Sequence, residues 1–231
     1  MTVKLYLESI EAAYARTFDA QVVAIDGNSI VLDRTLFYPL GGGQHWDTGV
    51  LSGPNGDINV QEVRGRGDVQ HTVETEHQLV VGDEVRGTVD WDTRYAHMRM
   101  HTAQHLMSGI AYELFNGVRT VGNQIHAEKS RIDFNPISFD EAMMERLVDV
   151  VNGHINTGLK VSDSVMTREE INTIMPPDRT NMNLLPASVR DLRVVQIGDQ
   201  VDLCPCAGTH VSNTSELGRV ELIGKKSKGK G

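Results

Sequence analysis

The apolar residues of this chain change period at Asp92, and that change limits what the chain can fold into. Before it lie short runs with strand character, broken by Gly, Asn and Asp. After it, Ala103, Leu106, Met107, Ile110, Ala111, Leu114 and Phe115 recur at the spacing of one helix face. The spacing predicts a single long helix over Thr93–Asn116, with Asp92 as N-cap and Gly117 as the stop. In the first part, Val3–Leu7, Val22–Ile25, Ile30–Leu32, Gly49–Leu51, Ile58–Val63, Thr72–Val73 and Val85–Val89 read as strands. Asp26-Gly27 marks a hairpin. Many short strands at this spacing predict a small barrel or sandwich.

The second part predicts more helix. Ser138-x-x-Glu141 reads as a capping box for a helix to about Asn156, and Thr167-x-x-Glu170 as one for a short helix ending before Pro176-Pro177. Ile132–Phe134, Leu192–Ile197, Val201–Leu203 and Arg219–Ile223 read as strands. The expectation is an α+β fold, with helices on a mainly antiparallel sheet. The domains are expected at residues 1–92 and 93–231. No apolar run is long enough to span a bilayer as a helix, and the N-terminus lacks an apolar signal core, so the reading is cytoplasmic with no membrane partner. Two cysteines separated only by Pro205 make no disulfide framework.

Two clusters can carry chemistry. His101-Thr-Ala-Gln-His105 places two imidazoles about 40° apart on one helix face, within reach of one metal ion. A zinc peptidase would need Glu after the first histidine, and Thr102 stands there instead. His97 lies one turn earlier, so either adjacent pair can be the ligand pair. The second cluster is Cys204-Pro-Cys206-Ala-Gly-Thr-His210. Cys206 and His210 supply a thiolate and an imidazole, which with His101 and His105 form a His₃Cys set suited to Zn²⁺. Cys204 remains an alternative sulfur. The run Gly41-Gly-Gly-Gln44 lacks the Lys-Ser/Thr of a phosphate-binding loop, and its bland reading is a tight barrel turn.

Three blocks in order resemble a known family. They are Phe37-Tyr-Pro-Leu-Gly-Gly-Gly-Gln-His-Trp-Asp-Thr-Gly49, the HTAQH segment, and CAGTHVSNTSELG from Cys206, with Gly122–Ile125 and Lys129–Phe134 resembling the family's core strand region. Together they resemble the editing domain of alanyl-tRNA synthetases and, more closely, the free-standing AlaX editing proteins. No segment is expected to resemble the class II aminoacylation domain. The resemblance implies a translation-factor-like N-terminal barrel, then an editing domain. It implies hydrolysis of seryl-tRNA(Ala), with glycyl-tRNA(Ala) as a second substrate, one Zn²⁺ per chain, and mischarged tRNA(Ala) as partner, without an obligate protein partner.

The resemblance assigns His101, His105, Cys206 and His210 to the metal. It places Gly41, Gly42, Gly43, Gln44, Asn123, Gln124 and Arg131 near the substrate. Thr209 and Gly208, lying between two of these ligands, read as oxyanion or ribose contacts, and Gln104 and Gln124 as partners of the amino group or the serine hydroxyl; the bland readings are a turn-stabilising hydroxyl for Thr209 and a solvated helix glutamine for Gln104. This chain departs from the family at Ala207, usually Gly, and at Gln104, where the synthetase version has Thr. A different zinc esterase or amidase, or a zinc-stabilised tRNA-binding module without turnover, are the competing readings.

The formal charge is −9. Residues 1–92 hold 6 Lys+Arg and 15 Asp+Glu, whereas residues 93–231 hold 16 of each. The acidic excess therefore belongs to the β-rich part. It excludes a uniformly basic face, not an RNA substrate. A lysine-rich tail, residues 225–231, is expected to be flexible.

Overall fold

A computed structural model describes residues 1–65, 67–74, 76–176, 179, 182 and 188–226. The fold is α+β, built among the described residues on a closed six-stranded antiparallel barrel and three α-helices. The chain forms two compact units: Met1–His101 with Gln124–Ser130 and Gly208–His210, and Thr102–Asn123 with Arg131–Ala207 and the chain from Val211 onward.

The strands of the first unit are β1 (Val3–Lys4), β2 (Thr17–Asp26), β3 (Ser29–Leu32), β4 (Arg34–Thr35), β5 (Gly49–Gly53), β6 (Gly56–Arg64), β7 (Gln70–Val73) and β8 (Glu84–Val89). The barrel closes in the order β2-β3-β7-β6-β5-β8, so it has no open edge. Only the first two residues of the expected strand Val3–Leu7 are extended, pairing β4 in parallel; Leu5–Leu7 turn into a 3-10 helix. The hairpin forms as expected, with Asp26 opposite Ser29 and Gly27 at φ +57°.

Phe18, Ala20 and Val22 alternate inward along β2 against Val85 and Val89 of β8. A Cβ on Gly87 would lie 2.1 Å from the Phe18 ring, so the absent side chain is what lets that phenylalanine enter the core.

His71 is fully buried in the barrel, bonded to Thr35 Oγ1 at 2.9 Å and to Ile30 O at 3.0 Å. Burial pulls its pKa down to about 4, only partly opposed by the Ile30 carbonyl. Below pH 6.5 the unfolded chain takes up a proton that the folded chain refuses until about pH 4. Stability is therefore full above pH 6.5 and falls as pH drops toward 4, by up to about 3 kcal/mol for this group. Urea titrations at pH 7 and pH 4.5 are expected to show this loss, and His71→Gln to shrink it.

Helix α1 (Trp91–Leu114) begins two residues earlier than expected. Its cap is Asp90, not Asp92: the Asp90 carboxylate accepts from Thr93 Oγ1 at 2.8 Å and Thr93 N at 3.4 Å. It ends where Asn116 and Gly117 take positive φ, and Gly117 N donates to Tyr112 O. Next come β9 (Arg119–Ile125), of which only Gly122–Ile125 was expected as strand and only through the family likeness, and β10 (Ser130–Asn135), which pair with each other.

Helix α2 (Glu141–Thr157) is capped by Asp140, whose side chain accepts from Met143 N at 2.8 Å. The expected cap, Ser138, lies outside the helix. In the second unit β11 (Val161–Thr167), also unexpected, pairs β12 (Asp191–Ile197), which pairs β13 (Asp202–Pro205), all antiparallel. Helix α3 (Arg168–Ile174) carries the expected Thr167/Glu170 capping box. Its Ile171 packs with Leu192, Val194 and Leu203 of the sheet.

Arg219–Ile223 is not a strand. The Asn152 side chain on α2 accepts from Val220 N at 2.9 Å and donates to Val220 O at 3.0 Å, so an asparagine takes the bonds that a neighbouring strand would. Residues 227–231 of the lysine-rich tail lie outside the described residues. Among the described residues, no helix is long and apolar enough to cross a membrane.

Candidate metal centre and the glycine-rich turn

The glycine-rich run is a two-residue hairpin turn. Gly41 N donates to Gln44 O, and Gln44 N to Gly41 O. Gly42 and Gly43 both have positive φ, +56° and +86°. Such a turn needs positive φ at both central positions, which glycine adopts without strain. Tyr38 O–H donates to Gly41 O at 2.8 Å. Past the turn, Ile125 N donates to Gly43 O and His45 N to Ile125 O, so the segment runs beside the end of β9.

This turn delivers Gln44, which is fully buried. Gln44 Nε2 donates to Thr209 Oγ1 at 2.9 Å, and Thr209 N donates to Gln44 Oε1 at 3.1 Å. His101 Nδ1 lies 2.8 Å from the same Oε1. A backbone N–H can only donate, so the shared amide atom is oxygen. His101 Nδ1 must then carry the hydrogen, which leaves the ring's lone pair on Nε2. The His101 and His210 rings lie 4.3 Å apart. Gly208 is needed there, because a Cβ would meet the His101 ring at 2.1 Å.

His105, one turn further along α1, is oriented in the same manner by a different acceptor. Its Nδ1 donates to Asp202 Oδ2 at 2.8 Å. Burial opposes its charge, yet hydrogen bonds to Asp202 and to the Cys206 thiol outweigh this and raise its pKa to about 10. A proton is thus shared among the groups that a cation would otherwise join. Close approach of α1 to the segment before β13 allows this contact, since a Cβ on Gly109 would lie 2.1 Å from Val201 O.

Cys206 follows β13. Its N donates to Arg193 O at 3.0 Å, and its O accepts from Arg193 Nη1 at 2.8 Å. Arg193 is itself held by Asp163 at 2.8 Å. Thr102 occupies the position of the peptidase glutamate; its hydroxyl accepts from Val211 N at 3.1 Å, tying helix to loop directly after His210.

One candidate ligand atom from each of His101, His105, Cys206 and His210 lies within 4.8 Å of the other three. Two imidazoles with fixed tautomers, a third imidazole and a thiol are the donor types of a tetrahedral Zn²⁺ site, so the residues fit that ion. Cys204 and His97 are outside this set. Cys204 pairs with Val195 in the sheet, and burial, then Asp202, raise its thiol pKa well above 9.0.

Gln104 is buried rather than solvated. Its Nε2 donates to Ser108 Oγ at 2.8 Å, its Oε1 accepts from Asn123 Nδ2 at 3.3 Å, and Ser108 meets Thr120 Oγ1 at 2.6 Å. Gln124 and Arg131 are exposed, and Arg131 pairs with Asp133.

One residue pair escaped the sequence reading. Arg94 and Asp47 form an ion pair with both side chains fully buried. Arg94 also donates to the carbonyls of Ala13 and Leu36, and Asp47 accepts from Tyr38 N at 2.6 Å.

Comparison with known proteins gives these residues a context. Residues 4–93 match the family described as tRNA synthetases class II (A), and residues 192–231 match the threonyl and alanyl tRNA synthetase second additional domain. The alanyl-tRNA editing protein AlaX-M of Saccharolobus solfataricus is 37% identical over 235 residues, covering 100% of this chain and 96% of its own. The chain belongs to the AlaX family of alanyl-tRNA editing proteins.

AlaX-L of Pyrococcus horikoshii is 34% identical over 93% of this chain and 54% of its own. The alanine–tRNA ligase of Pyrobaculum calidifontis is 39% identical over 92% of this chain, which spans 24% of that enzyme. The stretch matched over residues 4–93 folds in this AlaX member as the barrel that carries the glycine-rich turn.

Gln44 is not among the clustered donors, yet it fixes the tautomer of one candidate ligand histidine and holds the loop of another. Partners of this kind are worth about 10–100-fold in metal affinity. Gln44→Ala is expected to weaken Zn²⁺ binding by that factor in a chelator competition, with a circular dichroism spectrum like that of the parent.

Proposed function

We propose that this chain is a trans-editing hydrolase that deacylates mischarged seryl-tRNA(Ala), and glycyl-tRNA(Ala) as a second substrate, in the cytoplasm and without ATP. We rest this on the clustering of His101, His105, Cys206 and His210 in a chain related over its whole length to AlaX-M. On this reading one Zn²⁺ per chain is held by those four residues. Residues 1–92 act as the barrel domain and 93–231 as the editing domain.

Bound there, Zn²⁺ supplies a Lewis acid that polarises an ester carbonyl. The protein does the rest. Gln44 and Asp202 keep both helix histidines in the ligating tautomer. Gln104, held by Ser108 and Asn123, offers buried amide groups to the amino group or hydroxyl of the acyl serine. A site that pairs a substrate hydroxyl rejects an analogue lacking it, because its polar groups are then left unpaired. Thr209 and the backbone at Gly208 face the ribose or the developing oxyanion. Gly41, Gly42, Gly43, Asn123, Gln124 and Arg131 line the approach of the acceptor end.

The decisive experiment offers seryl-, glycyl- and alanyl-tRNA(Ala) to the zinc-loaded protein. Release of serine but not alanine supports the proposal. Four protein ligands also suit a closed structural zinc site. tRNA binding without release of any amino acid would favour that second reading, a zinc-stabilised binding module.

A further inference from the structure

Directly after Gln44 the chain gathers a set of rings unrelated to the metal cluster. The His45 ring stacks on Trp46, with centroids 3.7 Å apart and planes at 29°. His126 lies 5.1 Å and His97 6.1 Å from His45. The Arg64 guanidinium sits 5.2 Å from the Trp46 ring. The chain has nine histidines and two tryptophans, and three of the former and one of the latter meet here.

Core packing does not call for this arrangement. The barrel core is filled by Phe18, Val22, Ile30, Leu32, Phe37 and Leu51, and Trp46 is only partly buried against that cluster. His45 is half-buried and His126 exposed. His97 is buried, and its Nδ1 has no hydrogen-bond partner among the described residues. Arg64 is engaged by Glu62 at 2.6 Å, which blunts its charge, and no lysine belongs to the group. Burial lowers the pKa of His45 and takes that of His97 to about 4, so both rings are neutral at pH 7. Neutral stacked rings beside one guanidinium recognise a planar π surface rather than a phosphate.

We infer that His45, Trp46 and His126 form a stacking subsite for an unpaired nucleobase, the adenine of the 3′-terminal nucleotide of tRNA. This rests on the editing function proposed above, in which the ester sits on the ribose of that same nucleotide. Its base must therefore bind next to the ester site. His45 is the chain neighbour of Gln44, whose amide oxygen lies 2.8 Å from the ligand histidine His101. Single-stranded RNA ends are commonly held by stacking on such rings, and the interaction tolerates any base.

Trp46 can report on its own occupancy. With Trp91→Phe, it is the remaining tryptophan and can be excited selectively over the tyrosines. Titration with the RNA tetranucleotide 5′-ACCA-3′ is expected to quench it, and the same oligonucleotide with an abasic 3′ end to bind at least fivefold more weakly. His45→Ala is expected to raise KM for seryl-tRNA(Ala) roughly tenfold with kcat within about twofold and zinc content unchanged. His126→Ala should act in the same direction.

Equal quenching by the abasic oligonucleotide, or an unchanged KM in both variants, would overturn the subsite. Failure of the parent protein to release serine would instead overturn the editing proposal, and the oligonucleotide titration would still read the ring cluster.

Discussion

Cys206→Ala and His101→Ala are each expected to abolish zinc binding at micromolar protein and to lower deacylation of seryl-tRNA(Ala) by a thousandfold or more. Removing either leaves three of the four clustered donors. A Lewis acid at a reacting carbonyl lowers the barrier by several kcal/mol, and each 1.36 kcal/mol is a factor of ten in rate. Cys204→Ala is the control. It is two residues away, yet it lies in β13 opposite Val195, outside the ligand cluster. Its variant should keep full zinc content and nearly full activity. Metal analysis with single-turnover deacylation separates the cases. Normal serine release by metal-depleted His101→Ala would exclude a role for zinc in the reaction.

Much of this centre was legible from spacing. A helix puts residues four apart on one face, so His101 and His105 needed only the helix reading. Cys206 and His210 share a five-residue segment. What sequence left open was the choice between neighbours, because His97/His101 and His101/His105 have the same spacing, as Cys204 and Cys206 have similar access to His210. Long-range contacts bear on that choice. Gln44 reaches His101 across 57 positions, and Asp202 reaches His105 across 97.

Helix caps show the same limit. Asp90 and Asp92, or Ser138 and Asp140, are equivalent as local signals, and the backbone path selects one of each. The strand expected at Arg219–Ile223 failed because an asparagine side chain supplied its hydrogen bonds. The hydrophobic pattern announced neither β9 nor β11, because their sequences, RTVGNQI and VSDSVMT, are too polar to mark a buried face; only the family likeness pointed to the second half of β9.

Asp47→Asn is expected to cost about 3–5 kcal/mol of stability, and Arg94→Met a similar amount. Each leaves the partner charge fully buried and unpaired. For a chain of this size that lowers Tm by about 10 °C. The effect should not be uniform over the molecule. Asp47 accepts from Tyr38 N, Asp47 N donates to Tyr38 O, and the segment between them folds into the Gly42-Gly43 turn that presents Gln44. Arg94 anchors this base to α1, two turns before His101, and to the carbonyls of Ala13 and Leu36. Loosening the pair therefore releases the acceptor that fixes the His101 tautomer. Zinc affinity should fall in Asp47→Asn even at temperatures where the protein stays folded. The double variant Asp47→Leu/Arg94→Met removes both charges at once, and should regain much of the lost stability but not the zinc affinity, since apolar side chains can fill the space without tying Tyr38 N in place. Urea titration and chelator competition on the three variants test both halves. Parallel recovery of stability and zinc affinity in the double variant would show that the pair acts on the centre through stability alone.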